Sequence, residues 1–276
     1  MNAARLRRRL AYLIIPAVVA VVLWGYVAGP MTATFLESLG GSGGVFSGYA
    51  RFFDFAHGAQ GEAMLGSLGI SALSVLTAGI IGVFLAVLLH RWEFPFRKAC
   101  QVFVLAPLAL PPLMGIEAIV LLVGVGGVFP QLLGDWFGVG RNTLAVRGMA
   151  GVLVAHTLTM YPYFYLSVSA SLAGVDDSLE EAARGLGAST FGVWRRVLLP
   201  MLTPGIVAGA LLTFMSSMAS YTAPLLFGVD NVMTSQIVNA KVNGDLRFAS
   251  VVSVMLAVIS AIFLVGVRAY ERRAIY

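Results

Sequence analysis

Two ionisable side chains, Glu117 and His156, fall inside long apolar segments of this sequence. Titratable groups are rare within membrane-spanning helices, so each is a candidate for binding a polar solute or relaying a proton. Each lies about eight residues from the outer end of its segment, hence about 12 Å below that boundary at a helical rise of about 1.5 Å per residue. The two could therefore meet across antiparallel neighbours. A structural hydrogen-bonded pair and a contact with transported solute both remain open.

Hydroxyl groups and prolines are further candidates for lining a polar passage. Proline-freed carbonyls are tolerated in a membrane where they face protein or water, whereas serines also join helices without lining anything. The relevant residues are Pro107, Pro111, Pro112 and Gly115, then Tyr161, Tyr163 and Tyr165 around Pro162, then Ser216, Ser217, Ser220, Tyr221 and Thr222 before Pro224. The predicted pathway residues are Glu117, His156, Tyr161, Ser217, Tyr221 and Thr222.

Several motifs of catalysis and nucleotide binding are missing from the sequence. No H-E-x-x-H zinc motif occurs, and the three histidines, His57, His90 and His156, are dispersed. No G-x-x-x-x-G-K-[ST] phosphate loop occurs either, so nucleotide chemistry is expected on another chain. We therefore predict no catalytic residue and no metal site, which argues against a membrane-embedded enzyme.

Long apolar helices must position the polar groups. Hydrophobic residues make up 59% of the 276 residues, charged residues only 11%, and the mean hydropathy is +0.88. Runs of about 20 apolar residues can cross a bilayer, and such runs cover residues 11–29, 63–89, 99–125, 148–172, 202–227 and 249–267. The sequence thus predicts an all-α membrane protein with six transmembrane helices, of which Pro107, Pro111 and Pro112 break the third. The outer loops are expected at residues 30–62, 129–147 and 229–248, and the inner loops at residues 90–98 and 175–200. We divide it into an N-terminal anchor helix with its outer loop (residues 1–62) and a transmembrane core (residues 63–276).

The first run is expected to stay attached as an anchor, because it is longer than a usual signal-peptide core and lacks a clear cleavage site. Most of the 18 basic residues then fall on the side of the amino terminus, which the positive-inside rule identifies as cytoplasmic. Both termini are predicted to be cytoplasmic. The net charge of +5 reflects this topology and does not indicate nucleic-acid binding. The single cysteine, Cys100, excludes an internal disulfide.

A polar segment between the fourth and fifth apolar runs has the pattern of a short helix. Ser178 and Glu181 have capping-box spacing, and Gly185 and Gly187 offer a left-handed stop. The apolar stripe consists of Leu179, Ala182, Ala183 and Leu186. A second helix is expected to follow and to end at Pro200. Because the polar side of the first helix is acidic, docking into a protein is favoured over lying on an anionic membrane surface.

Residues 181–200 resemble the EAA loop of bacterial ABC importer permeases, whose pattern is E-A-A-x3-G-x9-I-x-L-P. The matching residues are Glu181, Ala182, Ala183, Gly187, Leu199 and Pro200, with Val197 in place of the isoleucine. The position of the loop is similar to that in the methionine-importer type of permease. The resemblance implies that Glu181, Ala182, Ala183 and Gly187, with Leu179, Leu186 and Pro200, couple the chain to a cytoplasmic ATPase.

The resemblance also implies partners and cofactors. ATP and Mg²⁺ would be bound by a dimeric ATPase, and this chain would bind no cofactor itself. One EAA loop implies a second permease subunit, which we expect to be a different chain rather than an identical one. A substrate-binding protein outside the cytoplasm would deliver the solute. The chain is expected in the inner (plasma) membrane of a bacterium, in contact with lipid.

The transported solute is less well indicated. Residues 216–228, SSMASYTAPLLFG, resemble the corresponding stretch of permeases for ferric iron and for polyamines. Ferric iron is the expected cargo, with polyamines, phosphonates, thiamine and sugars as alternatives. An ion-coupled secondary transporter is the alternative function, but such proteins normally carry several intramembrane carboxylates and inverted repeats.

Overall fold

The computed structural model describes residues 3–40, 44–55, 60–140 and 143–274, and in these ranges the regular secondary structure is entirely helical. The helices are α1 (Ala3–Leu23), α2 (Gly29–Leu39), α3 (Ser47–Phe52), α4 (Gln60–Arg91), α5 (Arg97–Val104), α6 (Ala106–Ala109), α7 (Pro112–Val123), α8 (Val128–Phe137), α9 (Gly148–Leu172), α10 (Asp177–Gly185), α11 (Thr190–Val193), α12 (Leu199–Met218), α13 (Thr222–Leu226), α14 (Met233–Val242) and α15 (Leu246–Ala274). Two π-helical turns, Trp24–Ala28 and Trp194–Leu198, join α1 to α2 and α11 to α12. The predicted all-α membrane fold is confirmed.

Within the described ranges, five stretches are long and apolar enough to cross a membrane, and α9 is not among them. They are Ile14–Leu39, Gln60–Arg91, Pro112–Phe137, Thr190–Met218 and Leu246–Ala269. The 25-residue α9 is long enough to span, but its histidine, threonines and tyrosines lower its hydropathy. It packs between α4 and α12, and Val152, Ala155 and Val168 are fully buried there. Enclosure by other helices explains how α9 carries these polar groups, since polar residues of a membrane bundle face its interior.

The third predicted span, residues 99–125, is not one helix. The chain forms α5, α6 and α7 in turn, and Pro107 and Pro112 lie in the first turns of α6 and α7. A proline at the start of a helix loses no hydrogen bond, because the first amides have no partner within the helix. The apolar stretch long enough to span runs from α7 through α8 instead. The breaks were therefore predicted correctly and the bounds of the span were wrong.

Three segments predicted as outer loops contain helices. The first predicted span continues past residue 29 as α2, and α3 follows it within the same predicted loop. The predicted loops at residues 129–147 and 229–248 contain most of α8 and the whole of α14. Turn-forming glycines in these segments obscured the helices, because glycine weakens a helical pattern without excluding it.

The chain divides into two compact units, of which the smaller comprises residues 1–58 and 237–257. Within it, the guanidinium of Arg51 pairs with Asp245 at 2.6 Å between Nη1 and Oδ2, and lies 4.1 Å from the ring centre of Phe248. Asp245 also accepts a hydrogen bond from the Phe248 amide, which caps the start of α15. These contacts connect α3 to the beginning of α15.

The larger unit, residues 59–236 and 258–276, is built on α4, α9 and α12. Glycines allow these helices to approach closely. A Cβ added at Gly82 of α4 would lie 2.5 Å from Tyr161 O, and one added at Gly205 of α12 would lie 2.5 Å from Ser167 O. Gly205 and Gly209 both face α9, as small residues four apart commonly do where two membrane helices pack closely.

Candidate functional site

The polar loop, which we define as residues 176–193, begins with a capped helix. Asp176 has extended backbone geometry, and its carboxylate accepts a hydrogen bond from the Ser178 amide at 2.9 Å. This bond, together with one from the Ser178 hydroxyl, lowers the pKa of Asp176. The predicted cap at Ser178, with Glu181 reaching back to it, is therefore wrong by two residues. Ser178 already lies inside α10, where its side chain cannot replace the cap.

A left-handed glycine ends α10. Gly187 has φ +85°, and its amide donates to Arg184 O at 2.9 Å while the Ala188 amide donates to Ala183 O at 3.0 Å. These two bonds form a Schellman motif, which favours glycine because a side chain is disfavoured at positive φ. The predicted stop is thus present at Gly187, whereas Gly185 is the last residue of α10 itself.

The second helix of the polar loop does not end at Pro200. Ser189 caps it by accepting a hydrogen bond from the Gly192 amide at 3.1 Å. The helix then continues through α11, the π-helical turn and α12 as a single run, Thr190–Met218. A proline lacks an amide hydrogen and crowds the carbonyl four residues earlier, and the wider π-helical turn before Pro200 relieves this crowding. The polar loop is therefore joined directly to a spanning helix.

The polar loop exposes large apolar side chains. Leu186 is 90% exposed, Phe191 70% and Leu179 45%, and Trp194, which directly follows the loop, is 38% exposed. Of the other motif residues, Glu181 and Ala182 are exposed and Ala183 is half-buried. Exposed apolar residues on a well-capped surface helix are typical of a binding surface for another protein.

Glu180 points the other way and joins the polar loop to α4. Its carboxylate pairs with the guanidinium of Arg91, the last residue of α4. The two side chains border a cavity of about 400 Å³, whose other lining residues are His90, Trp92, Leu172, Val175 and Leu198. The sequence did not indicate this pair, because Arg91 and Glu180 appear there only as isolated charges. Their opposite signs, in the two predicted inner loops, were the available signal for it.

A second cavity of about 490 Å³ brings together many of the predicted passage residues. It lies among α6, α7, α9 and α12–α13, and its lining includes Pro107, Pro112, Gly115, Thr159, Tyr163, Ser216, Ser220, Tyr221 and Thr222. We call it the hydroxyl cleft. Tyr221 and Thr222 were predicted pathway residues, while Thr159 was not singled out. The described residues that line it carry hydroxyl groups but no charged side chain.

The other predicted pathway residues lie elsewhere. His156 is 1% exposed, and its Nδ1 atom lies 3.1 Å from both Ser74 Oγ and Ser217 Oγ. Ser71 Oγ donates to Ser217 Oγ at 3.0 Å, which makes Ser217 part of the same buried cluster. The suggested pairing of His156 with Glu117 is therefore wrong. The polar partner of His156 on α4 is Ser74. The sequence alone could not identify this partner, because it does not reveal which helices face each other.

Glu117 and Tyr161 lie in two separate environments. Glu117 is exposed on α7 and forms no hydrogen bond or ion pair within the part of the chain that the structure describes. Tyr161 is half-buried on α9 and packs against the cluster of Ala78, Met160 and Phe164. Among the described residues there is no group of three or more His, Cys, Asp and Glu side chains that could hold a metal ion.

Comparisons with known proteins agree with this architecture. Residues 78–276 match the family described as "Binding-protein-dependent transport system inner membrane component". The molybdenum transport system permease protein ModB of Escherichia coli K12 is 35% identical over 171 residues, covering 62% of this chain and 72% of that protein. The spermidine/putrescine transport system permease protein PotB of Haemophilus influenzae is 26% identical over 206 residues, covering 74% and 72%.

Solved structures show the same fold at low sequence identity. A bacterial alginate ABC transporter in complex with an alginate pentasaccharide-bound periplasmic protein contains a chain with a TM-score of 0.77 and 16% identity, covering 98% of both chains. The MetNI methionine ABC transporter contains one with a TM-score of 0.55 and 19% identity, covering 77% of this chain and 94% of that one. The resemblance inferred from the EAA pattern is confirmed. The chain belongs to the family of binding-protein-dependent transport system inner membrane components and is a permease of the ABC importer class.

Proposed function

We propose that the polar loop docks this permease onto a cytoplasmic ATPase, which binds ATP and Mg²⁺ and drives transport. The main observation that supports this proposal is the exposed apolar face formed by Leu179, Leu186 and Phe191. The Asp176 cap and the Schellman turn at Gly187 fix the conformation of that face before any partner binds, which lowers the entropic cost of docking. Since α11 continues into α12, movement of the docked loop displaces a spanning helix.

The assembly would contain two permease subunits, an ATPase dimer and a substrate-binding protein. A single polar loop per chain suits one of two permeases, each engaging one ATPase. The exposed carboxylate of Glu117 on α7 supports a partner or an aqueous passage at that surface, because a charged group facing lipid is costly. We infer a different chain as the second permease. The distribution of basic residues supports a cytoplasmic location, in a bacterium, for the polar loop and both termini.

For the cargo we infer a small oxyanion of the molybdate class. A relative at 35% identity is a molybdenum transport system permease protein. The hydroxyl cleft offers neutral O–H donors from serine, threonine and tyrosine, which suit a weakly held anion. Ferric iron, the expectation from sequence, and polyamines would both be served better by carboxylates lining the cleft.

Co-purification tests the docking proposal. Leu186→Asp places a charge at the centre of the exposed apolar face and should reduce the retained ATPase by about tenfold or more, as expected for a central interface residue. Val139→Asp, at a 41% exposed residue outside the polar loop, is the matched control and should retain the ATPase fully. Equal retention by the two variants would refute docking through this face.

Uptake into proteoliposomes tests the cargo. The vesicles would contain both permeases, the ATPase and the binding protein, and would be offered molybdate, ferric iron and putrescine separately. ATP-dependent accumulation of molybdate alone is expected. Accumulation of iron or putrescine without molybdate would overturn the oxyanion inference and leave the docking proposal unaffected.

A further inference from the structure

Two adjacent glutamates of α10 serve opposite sides of the helix. Glu181 is exposed on the side available to a partner, whereas the side chain of Glu180 is only 13% exposed and faces Arg91 of α4. The Arg91 side chain is 28% exposed. The pair is therefore partly removed from solvent, where attraction between opposite charges is screened less than at an open surface.

We propose that the Arg91–Glu180 ion pair is a positioning contact that makes α4 follow the movement of the polar loop. This inference rests on the proposed function. The polypeptide itself joins the polar loop to α9 through the short segment after Leu172 and to α12 through the π-helical turn. Chain connectivity provides no such link to α4, the third helix of the central packing, and the ion pair supplies it.

The end of α4 is held firmly enough to receive this movement. Arg97 of α5 donates from Nε to Leu89 O at 2.6 Å and from Nη2 to His90 O at 3.1 Å. The Gln101 side-chain amide lies 3.4 Å from the same Leu89 oxygen. These bonds satisfy carbonyls that the end of a helix leaves without amide partners, and they fasten the last turn of α4 to α5.

The same contacts lead towards the hydroxyl cleft. α5 is followed directly by α6, and Pro107 and Leu108 of α6 line the cleft. A displacement of α10 applied at Arg91 therefore acts on the end of α4, then on α5, and then on one wall of the cleft. The proposal assigns Arg91 and Glu180 to coupling, and Glu181 to the contact with the ATPase.

Charge reversal in reconstituted importers tests the pair. The measured quantity is solute accumulated per ATP hydrolysed, with molybdate as the probe and the complete complex in proteoliposomes. Arg91→Glu and Glu180→Arg should each lower this ratio by about fivefold or more, the lower range of energetic coupling between sites. The double variant restores the opposite charges and should return to within about twofold of the wild type. Lys98→Glu, an exposed charge reversal nearby, should leave the ratio unchanged.

Two further measurements keep the result unambiguous. Glu180→Gln nearly preserves side-chain volume, and Arg91→Gln replaces the guanidinium with a smaller neutral amide, so both remove a charge without reversing it. A lowered ratio in these variants with full retention of the ATPase also supports the proposal. A wild-type ratio in the single variants, or a double variant as poorly coupled as the singles, overturns it. Failure of the wild-type permease to retain any ATPase defeats the proposed function instead, so the two failures are distinguishable.

Discussion

Gly187 fixes the geometry of the polar loop at the scale of one residue. Its positive φ reverses the chain between α10 and α11, and two hydrogen bonds to α10 close the turn. Residues with a Cβ adopt this conformation at a cost of about 1–2 kcal/mol. The apolar face proposed for docking depends on this turn, because Leu186 lies immediately before it.

Gly187→Ala should therefore weaken the loop and its hold on the ATPase. Because the bound loop must keep this positive φ, the strain is expected to reduce ATPase retention by roughly five- to thirtyfold. Gly185→Ala is the matched control, since Gly185 is helical and a Cβ there would meet nothing within 4 Å. Titrating detergent-solubilised permease with purified ATPase measures both affinities, and equal affinities would contradict the role given to the turn.

Asp176 provides a second test at this scale. Asp176→Ala removes the cap of α10 and should speed hydrogen exchange of the first amides of that helix, while Asp176→Asn should preserve their protection. The pKa of Asp176 is lowered in the folded protein, so the stabilisation is complete above the unfolded-state pKa and is lost as pH falls through the lowered value. Exchange measured by mass spectrometry, corrected for intrinsic rates, checks both statements.

At the scale of helices, the sequence predicted where helices break and stop better than it predicted which helices lie side by side. The breaks at Pro107 and Pro112 and the stop at Gly187 follow from the properties of single residues, so the sequence revealed them. The partners of His156 and Arg91 depend on which helices lie side by side, and a single sequence carries no direct record of that. The EAA pattern located the polar loop, whereas its cap was placed two residues late because Ser178 and Asp176 are both acceptable caps.

Close packing of α9 against α12 gives a prediction about stability. A Cβ at Gly205 would lie 2.5 Å from a backbone oxygen of α9, which cannot rotate away. Gly205→Ala should therefore destabilise the larger unit by about 1–3 kcal/mol, as overpacking in a core does. Gly69→Ala in α4, where a Cβ meets nothing within 4 Å, should be neutral or stabilising. Thermal unfolding in detergent separates the two variants, and equal midpoints would show that the helices can move apart freely.

At the scale of the whole molecule, the number of spans determines the topology. In the part of the chain that the structure describes, five stretches satisfy the length and hydropathy expected of a membrane helix, and α9 would be the sixth. If α9 crosses, both ends of the chain lie on one side of the membrane together with the polar loop. If it does not, the two ends lie on opposite sides.

Reporter fusions decide between these topologies. A fluorescent protein attached at either end should be bright, and an alkaline phosphatase at either end should be inactive, because both ends are expected in the cytoplasm. A fusion within the segment between α8 and α9 should show the reverse pattern and serves as the control for orientation. Opposite signals at the two ends would mean that α9 does not cross.

The burial of α9 also bears on how the ribosome and insertion machinery make this protein. A segment that carries His156 and several tyrosines gains little from partitioning into lipid alone. During synthesis α4 has already emerged when α9 leaves the ribosome, whereas α12 has not. Retention of α9 in the bilayer therefore depends on early association with α4, and the hydroxyl of Ser74 on α4 supplies the first polar partner for His156 in the newly made chain.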